Sequence, residues 1–340
     1  MKEDAARPRY LFVATGLILM ALASGFFGFL SVASSPYKGY PEPEQIVVVE
    51  RGGTVQAIAR NLASKGVIRS AVLFEWYIRL IGQAQWLQAG AYRFEGAVDL
   101  FSVARTLRLG LVHHRKFTVP EGLTLKEIAA RLHEGGFGSE DGLLQALQQT
   151  DWIAEWDPEA GSNLEGYLFP DTYFFTLHMN EAEIVQTIVG AFRKAWSPEH
   201  SERARELGFS VREVVTLASL IEAETGLAEE RALVSAVFHN RLRRNMKLAC
   251  DPTVIYAVSL VKEFDGIIHR SDLEIDSPYN TYLYPGLPPG PIGNPGLASI
   301  EAALYPAQSD YLYFVSRNDG GHHFSTSYNE HSRAVAQYQR

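Results

Sequence analysis

Cysteine is almost missing. Cys250 is the only one in 340 residues, which excludes an intrachain disulfide framework and any cysteine-rich zinc site. A dense Lys/Arg stripe is missing too, and the formal net charge is −8, so nucleic acid is not expected as the main partner. No helical His-Glu-x-x-His pattern occurs, and His322, His323 and His331 follow no metal-ligand spacing; neither a metal nor a cofactor is expected. There is no Gly-x-Ser-x-Gly elbow for a serine or cysteine triad, and Cys250 reads as a loop residue before Asp251-Pro252. Sustained heptads are absent, so no coiled coil is expected. The excess of polar residues that marks a disordered chain is also lacking. With 46% hydrophobic and 21% charged residues, the chain reads as globular and long enough for two or three cores.

One long apolar run is present. Tyr10 to Ala33 carries no charged residue in 24 positions. As a helix it would span about 36 Å, enough to cross a bilayer. Lys2, Arg7 and Arg9 precede it, while Lys38, Glu42 and Glu44 follow. That asymmetry predicts a short cytoplasmic N-terminal tail with the remainder outside. A cleaved signal peptide is the alternative, because Ser31 and Ala33 form a small-x-small site; the length of the run favours a retained anchor.

Residues 34–45, rich in Pro, Ser and Gly, read as a linker. Ile46 to Val49 form a β-branched strand, Gly52-Gly53 a turn, and Thr54 caps a helix with Ile58 and Leu62 at spacing four. A second helix holds "AVLFEWYIRLIG", "AGAYRF" is a short strand, and "LFSVARTLRLG" is a third helix. "KFTVPEGLTLKEIAARLHEGG" then repeats the scheme with Thr124 as cap and Ile128 and Leu132 inside. This predicts a small α+β module used twice, similar to the LysM fold that binds amino-sugar polymers. Such units also occur without any ligand.

The segment "NLEGYLFPDTYFFTLHMN" is aromatic-rich. Tyr167, Phe169, Tyr173, Phe174 and Phe175 could line a sugar groove, with Glu165 and Asp171 as polar contacts, or form a buried cluster under a turn. Farther on, "SLIEAET" places two carboxylates at the end of an apolar helix. Ser210 and Glu213 make a capping box, so the helix begins near Val211, and Gly226 is a stop signal. Glu222 has Ala218 and Ser219 one turn before it, whereas Glu224 has Leu220 and Ile221. Apolar surroundings and the negative end of the helix dipole favour the protonated form of Glu224. A carboxylic acid that stays protonated near neutral pH suits glycosidic cleavage. On these residues alone, a solvated pair at a fraying helix end is the favoured reading.

The later loops favour chemistry. "SPYNTY" and "GLPPGPIGNPG" are rigid, aromatic and amide-bearing, good walls for an oligosaccharide groove. "YLYFVSRNDGGHHFS" reads as a β-hairpin turning at Asn318 to Gly321. Taken in order, "SLIEAET", "VFHNRL", "DPTVIYA", "SPYNTY", "GLPPGPIGNPG", "YLYFV" and "GGHHFS" closely resemble the membrane-anchored endolytic murein transglycosylases of the YceG-like (MltG) family. His239 departs from the pattern, standing where an apolar residue is expected, and reads as a tolerated change.

The resemblance implies an α+β fold: a single N-terminal transmembrane helix, LysM-like modules, then a mixed α+β YceG-like catalytic domain. The expected divisions are a cytoplasmic tail (1–9), the helix (10–33), the linker (34–45), a LysM-like domain (46–112), a second LysM-like strand–helix module (113–160) and the catalytic domain (161–340). It implies cleavage of the MurNAc–GlcNAc bond of nascent peptidoglycan with a 1,6-anhydro product, ending glycan elongation. The "ExET" match puts the general acid on Glu224. Substrate contacts are expected from Glu222, Asn240, Arg241, Asp251, Thr253, Tyr256, Tyr279, Asn280, Thr281, Tyr282 and Glu165. The expected location is the inner (cytoplasmic) membrane, single-pass, with the catalytic part in the periplasm. Peptidoglycan synthases (penicillin-binding proteins) and elongation or division complexes are the expected protein partners.

Overall fold

The computed structural model describes residues 7–158, 160–177 and 179–339. The expected cytoplasmic tail therefore falls largely outside the described residues. Chain contacts divide the protein into two compact units, one of residues 1–115 with 176–178, the other of residues 116–175 with 179–340.

In the first unit, α1 (Arg7–Ser34) contains an apolar stretch, Val13–Ser34, long enough to cross a membrane and mostly exposed until its last turns. Its last turns enter the unit's core: Ala33 is 1% exposed, and the Phe29 ring meets Phe101 edge-on at 6.3 Å. β1 (Glu44–Val49) is followed by α2 (Val55–Ser64), α3 (Ala71–Leu80) and β2 (Gly90–Glu95). The two strands pair antiparallel with Val47 opposite Tyr92. Thr54 and Ser70 cap the two helices as their side-chain oxygens accept N–H groups of the first turn. Ile58, Leu62, Phe74, Ile78 and Tyr92 fill the space between helices and ribbon, and α4 (Leu100–Arg108) closes it with Val103 and Leu107.

The second unit opens with the same order of elements. β3 (His114–Thr118) leads to α5 (Leu125–Glu134), α6 (Glu140–Ala146) and β4 (Thr172–Thr176), and β3 pairs with β4. Thr124 and Glu127 form a full capping box on α5, and Ser139 caps α6. The repeat thus extends past residue 160 to reach its second strand. The aromatic segment supplies that strand. Tyr167, Tyr173 and Phe175 are buried, with Tyr173 stacked on Phe175 at 5.7 Å; Phe174 alone points outward. Alternation along a half-buried strand explains the pattern.

α7 (Glu181–Ala195) and α8 (Pro198–Leu207) lead to α9 (Val211–Glu224), the central helix. From Val214 to Ile221 every residue of α9 is buried, Thr216 and Ser219 included. The reason is that α8, α10 (Arg231–Arg243), α11 (Asp251–Ser259) and α12 (Leu297–Leu304) all pack on it. The helix stops one residue earlier than the glycine signal suggests. Thr225 adopts extended backbone, and its hydroxyl accepts the Leu227 N–H at 3.1 Å. β5 (Tyr313–Ser316) and β6 (His322–Ser325) make the expected hairpin, followed by α13 (Tyr328–Tyr338).

Candidate active site

Glu224 is the last residue of α9, partly exposed, at the meeting of three further segments of the second unit. The Cys250 thiol, just before α11, hydrogen-bonds its carboxyl. Asp251, Arg241 of α10 and His322 of β6 are close enough to act on its charge. Burial pushes the Glu224 pKa up to about 7, and the Asp251 carboxylate adds to the rise. The Cys250 hydrogen bond, His322 and Arg241 pull the other way without cancelling it. Glu224 is thus an acid that exchanges its proton near neutral pH.

Each neighbour is fixed from behind. Arg241 donates from Nε to Leu312 O at 2.6 Å and from Nη1 to Leu248 O at 2.6 Å, with its guanidinium over Tyr313 at 5.2 Å. Asp251 does not cap α11 with its side chain; its Oδ1 accepts the Tyr282 hydroxyl at 2.5 Å. Cys250 is fully buried, and burial pushes its thiol well above the ordinary range, which removes it as a nucleophile. The Cys250 N–H donates to Thr281 Oγ1 at 3.0 Å, and Thr253 Oγ1 lies 2.8 Å from the same atom. This knot of two threonines ties α11 to the Tyr-Asn-Thr-Tyr loop. His322 is held by Glu230, which accepts its backbone N–H at 2.8 Å and lies 2.6 Å from ring Nδ1. This contact turns Nδ1 of the imidazole towards Glu230. Glu230 and His322 were not among the residues expected to contact substrate. They lie 92 positions apart, and only the folding of the β5–β6 hairpin brings them together.

Glu222 looks elsewhere. Its Oε2 accepts the Gly296 N–H at 2.9 Å and its Oε1 lies 3.6 Å from Arg231 Nη2. Glu121 sits in the same cluster, where burial, then the Glu222 charge, raises its pKa. The loop there needs glycine: a Cβ on Gly293 would stand 2.6 Å from the Gly122 carbonyl oxygen, and one on Gly296 would overlap Glu121 Oε1.

Glu165, at 7% exposure, accepts from Leu125 N–H at 3.0 Å, Asn294 Nδ2 at 3.1 Å and the Tyr256 hydroxyl at 3.2 Å. Burial pushes its pKa up to about 8 despite these bonds. Its oxygens are directed at protein donors, an arrangement that braces the loops and leaves little for a sugar. Tyr256 and Tyr279 stand as a ring pair, 4.9 Å between centroids. The two asparagines brace backbone. Asn240 Nδ2 donates to Ser309 O and Tyr311 O at 2.9 and 2.8 Å, and Asn280 Nδ2 to Leu273 O and Ile275 O, both at 3.0 Å. The structure therefore gathers Arg241, Asp251 and Tyr282 around Glu224, sets Thr253 and Thr281 one layer behind, and keeps Glu222, Glu165, Asn240 and Asn280 on supporting contacts. His239 is buried, its Nε2 2.8 Å from Ala303 O, a packing position away from Glu224. Among the described residues, no three His, Cys, Asp or Glu side chains are grouped to hold a metal ion.

Residues 47–337 match the YceG-like family. The chain is 35% identical over 304 residues to the endolytic murein transglycosylase of Bacillus subtilis, covering 85% of this chain and 83% of that protein. A second relative, the endolytic murein transglycosylase of Streptococcus pneumoniae strain D39, is 29% identical over 359 residues, covering 96% of this chain and 65% of that protein. The crystal structure of a YceG-like protein from Listeria monocytogenes superposes with a TM-score of 0.59 at 32% identity, covering 86% of this chain and 98% of that one. Coverage of this extent, spanning both compact units, assigns the chain to the YceG-like family.

Proposed function

We propose that the protein is an endolytic peptidoglycan lytic transglycosylase with Glu224 as its single general acid and base. The observation that carries this reading is the environment of Glu224: a half-buried residue at a helix end whose carboxyl pKa burial raises to about 7. Protonated Glu224 gives its proton to the glycosidic oxygen between MurNAc and GlcNAc as the C–O bond breaks. The resulting carboxylate takes the proton of the muramic C6 hydroxyl, whose oxygen bonds to the anomeric carbon. The product carries a 1,6-anhydro end, and Glu224 is protonated again. No water is consumed and no second carboxylate is needed, unlike the two-carboxylate glycosidases.

Arg241, Asp251 and Tyr282 are the residues we assign to substrate beside the acid, with Tyr279, tilted against the buried Tyr256, as a further contact. Glu222, Glu165, Asn240, Thr253, Asn280 and Thr281 contribute by holding the loops. The anchor reading puts the N-terminus in the cytoplasm and the two units outside, where the enzyme meets nascent strands and terminates their growth. Peptidoglycan synthases and the elongation or division machinery are the protein partners this place implies. The β1–α2–α3–β2 order with one antiparallel ribbon supports a LysM-like first unit.

The test is mass spectrometry of products from un-crosslinked nascent glycan and the full-length chain in detergent. Anhydro ends from wild type, and a loss of about a hundredfold or more in Glu224→Gln, are expected. Activity kept by Glu224→Gln and lost by Glu222→Gln would move the role to Glu222. Hydrolysed ends, heavier by one water, would instead favour Asp251 guiding a water beside Glu224.

A further inference from the structure

The first unit carries an apolar stripe that its own core does not use. Val72, Trp76 and Leu80 recur at spacing four along α3 and are 67%, 67% and 66% exposed. They line a shallow surface hollow together with Glu75 and Arg79, which are joined by an ion pair of 2.5 Å. The opposite side of α3, Phe74 and Ile78, fills the core. A three-residue stripe of this size on a ten-residue helix is not explained by packing within the unit.

The same helix is linked through Phe101 of α4 to the end of α1. The Tyr77 ring lies 5.0 Å from Phe101, and Phe101 in turn contacts Phe29 of α1. Val32 and Ser35 of the α1 end share a small crevice with Ser70 and Leu73 of α3. Around the helix, Leu73 and Tyr77 stand next to the Val72–Trp76–Leu80 stripe, so the apolar arc runs from α1 onto the exposed face without interruption. Phe29 lies five residues before the end of α1, about 7 Å along the axis. On the retained-anchor reading, α3 is therefore held beside the outer end of the anchor. Charge points the same way. Residues 35–115 hold ten Lys/Arg against six Asp/Glu, whereas residues 116–340 hold 18 against 31. A tryptophan-bearing apolar face on a unit of net basic charge, next to an anchor, suits an interface with anionic lipid.

We propose that the Val72–Trp76–Leu80 face of α3 is a lipid-docking surface that lays the first unit on the outer leaflet of the bilayer holding α1. The occupant is the headgroup–acyl boundary of the membrane. Trp76 sits there with Val72 and Leu80 in the acyl region, and Arg79 reaches the headgroups. The proposal rests on the retained-anchor reading. Its consequence is that the unit next to the anchor does not swing freely on a linker.

The test uses the full-length chain in vesicles of phosphatidylethanolamine and phosphatidylglycerol, with and without acyl chains brominated near the headgroup. Of the five tryptophans, Trp76 and Trp86 are the exposed ones, at 67% and 60%. Bromolipid is expected to quench wild-type emission, and Trp76→Phe to lower the quenched fraction roughly twofold. Trp86→Phe serves as the comparison. Equal quenching in wild type and Trp76→Phe would overturn the proposal, as would iodide reaching Trp76 as freely in vesicles as in detergent. So would protection of Trp76 by added glycan fragments with no bromolipid quenching, which would assign the stripe to a sugar strand. Flotation with the vesicles separates the two levels. A chain that floats without quenching keeps its anchor and loses only this surface, whereas a chain that does not float refutes both.

Discussion

The molecule contains one β–α–α–β scheme twice, and the two copies have different fates. In the first, β1, α2, α3 and β2 enclose a core of their own, and the turn at Gly52 (φ +75°) is open: a methyl group on its Cα would meet nothing within 4 Å. In the second, β3, α5, α6 and β4 share one core with α7 to α12. Its matching turn at Gly122 (φ +79°) donates an N–H to Asn294 O at 2.8 Å, and Leu123 O accepts Asn294 N–H at 2.9 Å. Both copies begin with the same local chemistry: strand, glycine turn, threonine cap, ten-residue helix. The difference lies in what the turn touches. Asn294 is wholly buried and links that turn to Leu168 N–H and Glu165 as well, so the second copy has become a wall of the Glu222 cluster.

The largest way to break the second copy is through Glu165. Glu165→Ala would leave the Leu125 N–H, the Asn294 amide and the Tyr256 hydroxyl without their acceptor, and should cost the second unit on the order of 3 kcal/mol in denaturant melts. The first unit should melt unchanged.

The same carboxyl gives the copies different pH responses. Its folded pKa, about 8, lies above the usual carboxyl value of 4.5, so the folded state holds the proton more tightly. Stability from this group is fully present below about pH 4.5 and falls as pH rises towards 8. Second-unit stability measured across that window should decline, and Glu165→Gln should flatten the decline. Glu224 acts in the same direction on catalysis: its acid form is lost above about pH 7, so the rate should fall there.

A sharper comparison is the paired glycine exchange. Gly52→Ala and Gly122→Ala both force a side chain into a left-handed backbone, at about 1 kcal/mol each. Only Gly122→Ala should also reduce glycan cleavage, because its turn supports Asn294 and the Gly296 loop. Equal activity in the two variants would show that the second copy is structural alone.

The smallest contrast is in the caps. Thr124 works in a reciprocal box with Glu127, whereas Thr54 accepts a single N–H. Thr124→Ala should cost about 1 kcal/mol or slightly more and Thr54→Ala about half of that, read as separate shifts of the two units' melts.

These copies also mark how far the sequence could be read. Helix starts at Thr54, Thr124 and Ser210, the strands at Ile46 and "AGAYRF", and the hairpin around Asn318 were legible because each depends on neighbours a few residues away. The family motifs and the apolar run were legible for the same reason. The partner of β3 was not: it lies in the aromatic segment, whose rings suggested a groove and instead form strand and core. The preference for Glu224 over Glu222 had a local basis in Leu220 and Ile221. What raises the Glu224 pKa, however, is burial, with the Asp251 carboxylate adding to it, and what occupies Glu222 is the Gly296 N–H, 74 positions away. Glu230 with His322 and Asn294 with Glu165 are likewise contacts between distant segments. The sequence by itself determined the long apolar N-terminal helix, the repeated strand–turn–helix order and the candidacy of Glu224, because short-range pattern encodes them. Only the tertiary structure decided which carboxyl is desolvated, which polar groups are tied to backbone and which remain directed at Glu224, because desolvation and hydrogen-bond satisfaction are set by whichever segments packing brings together.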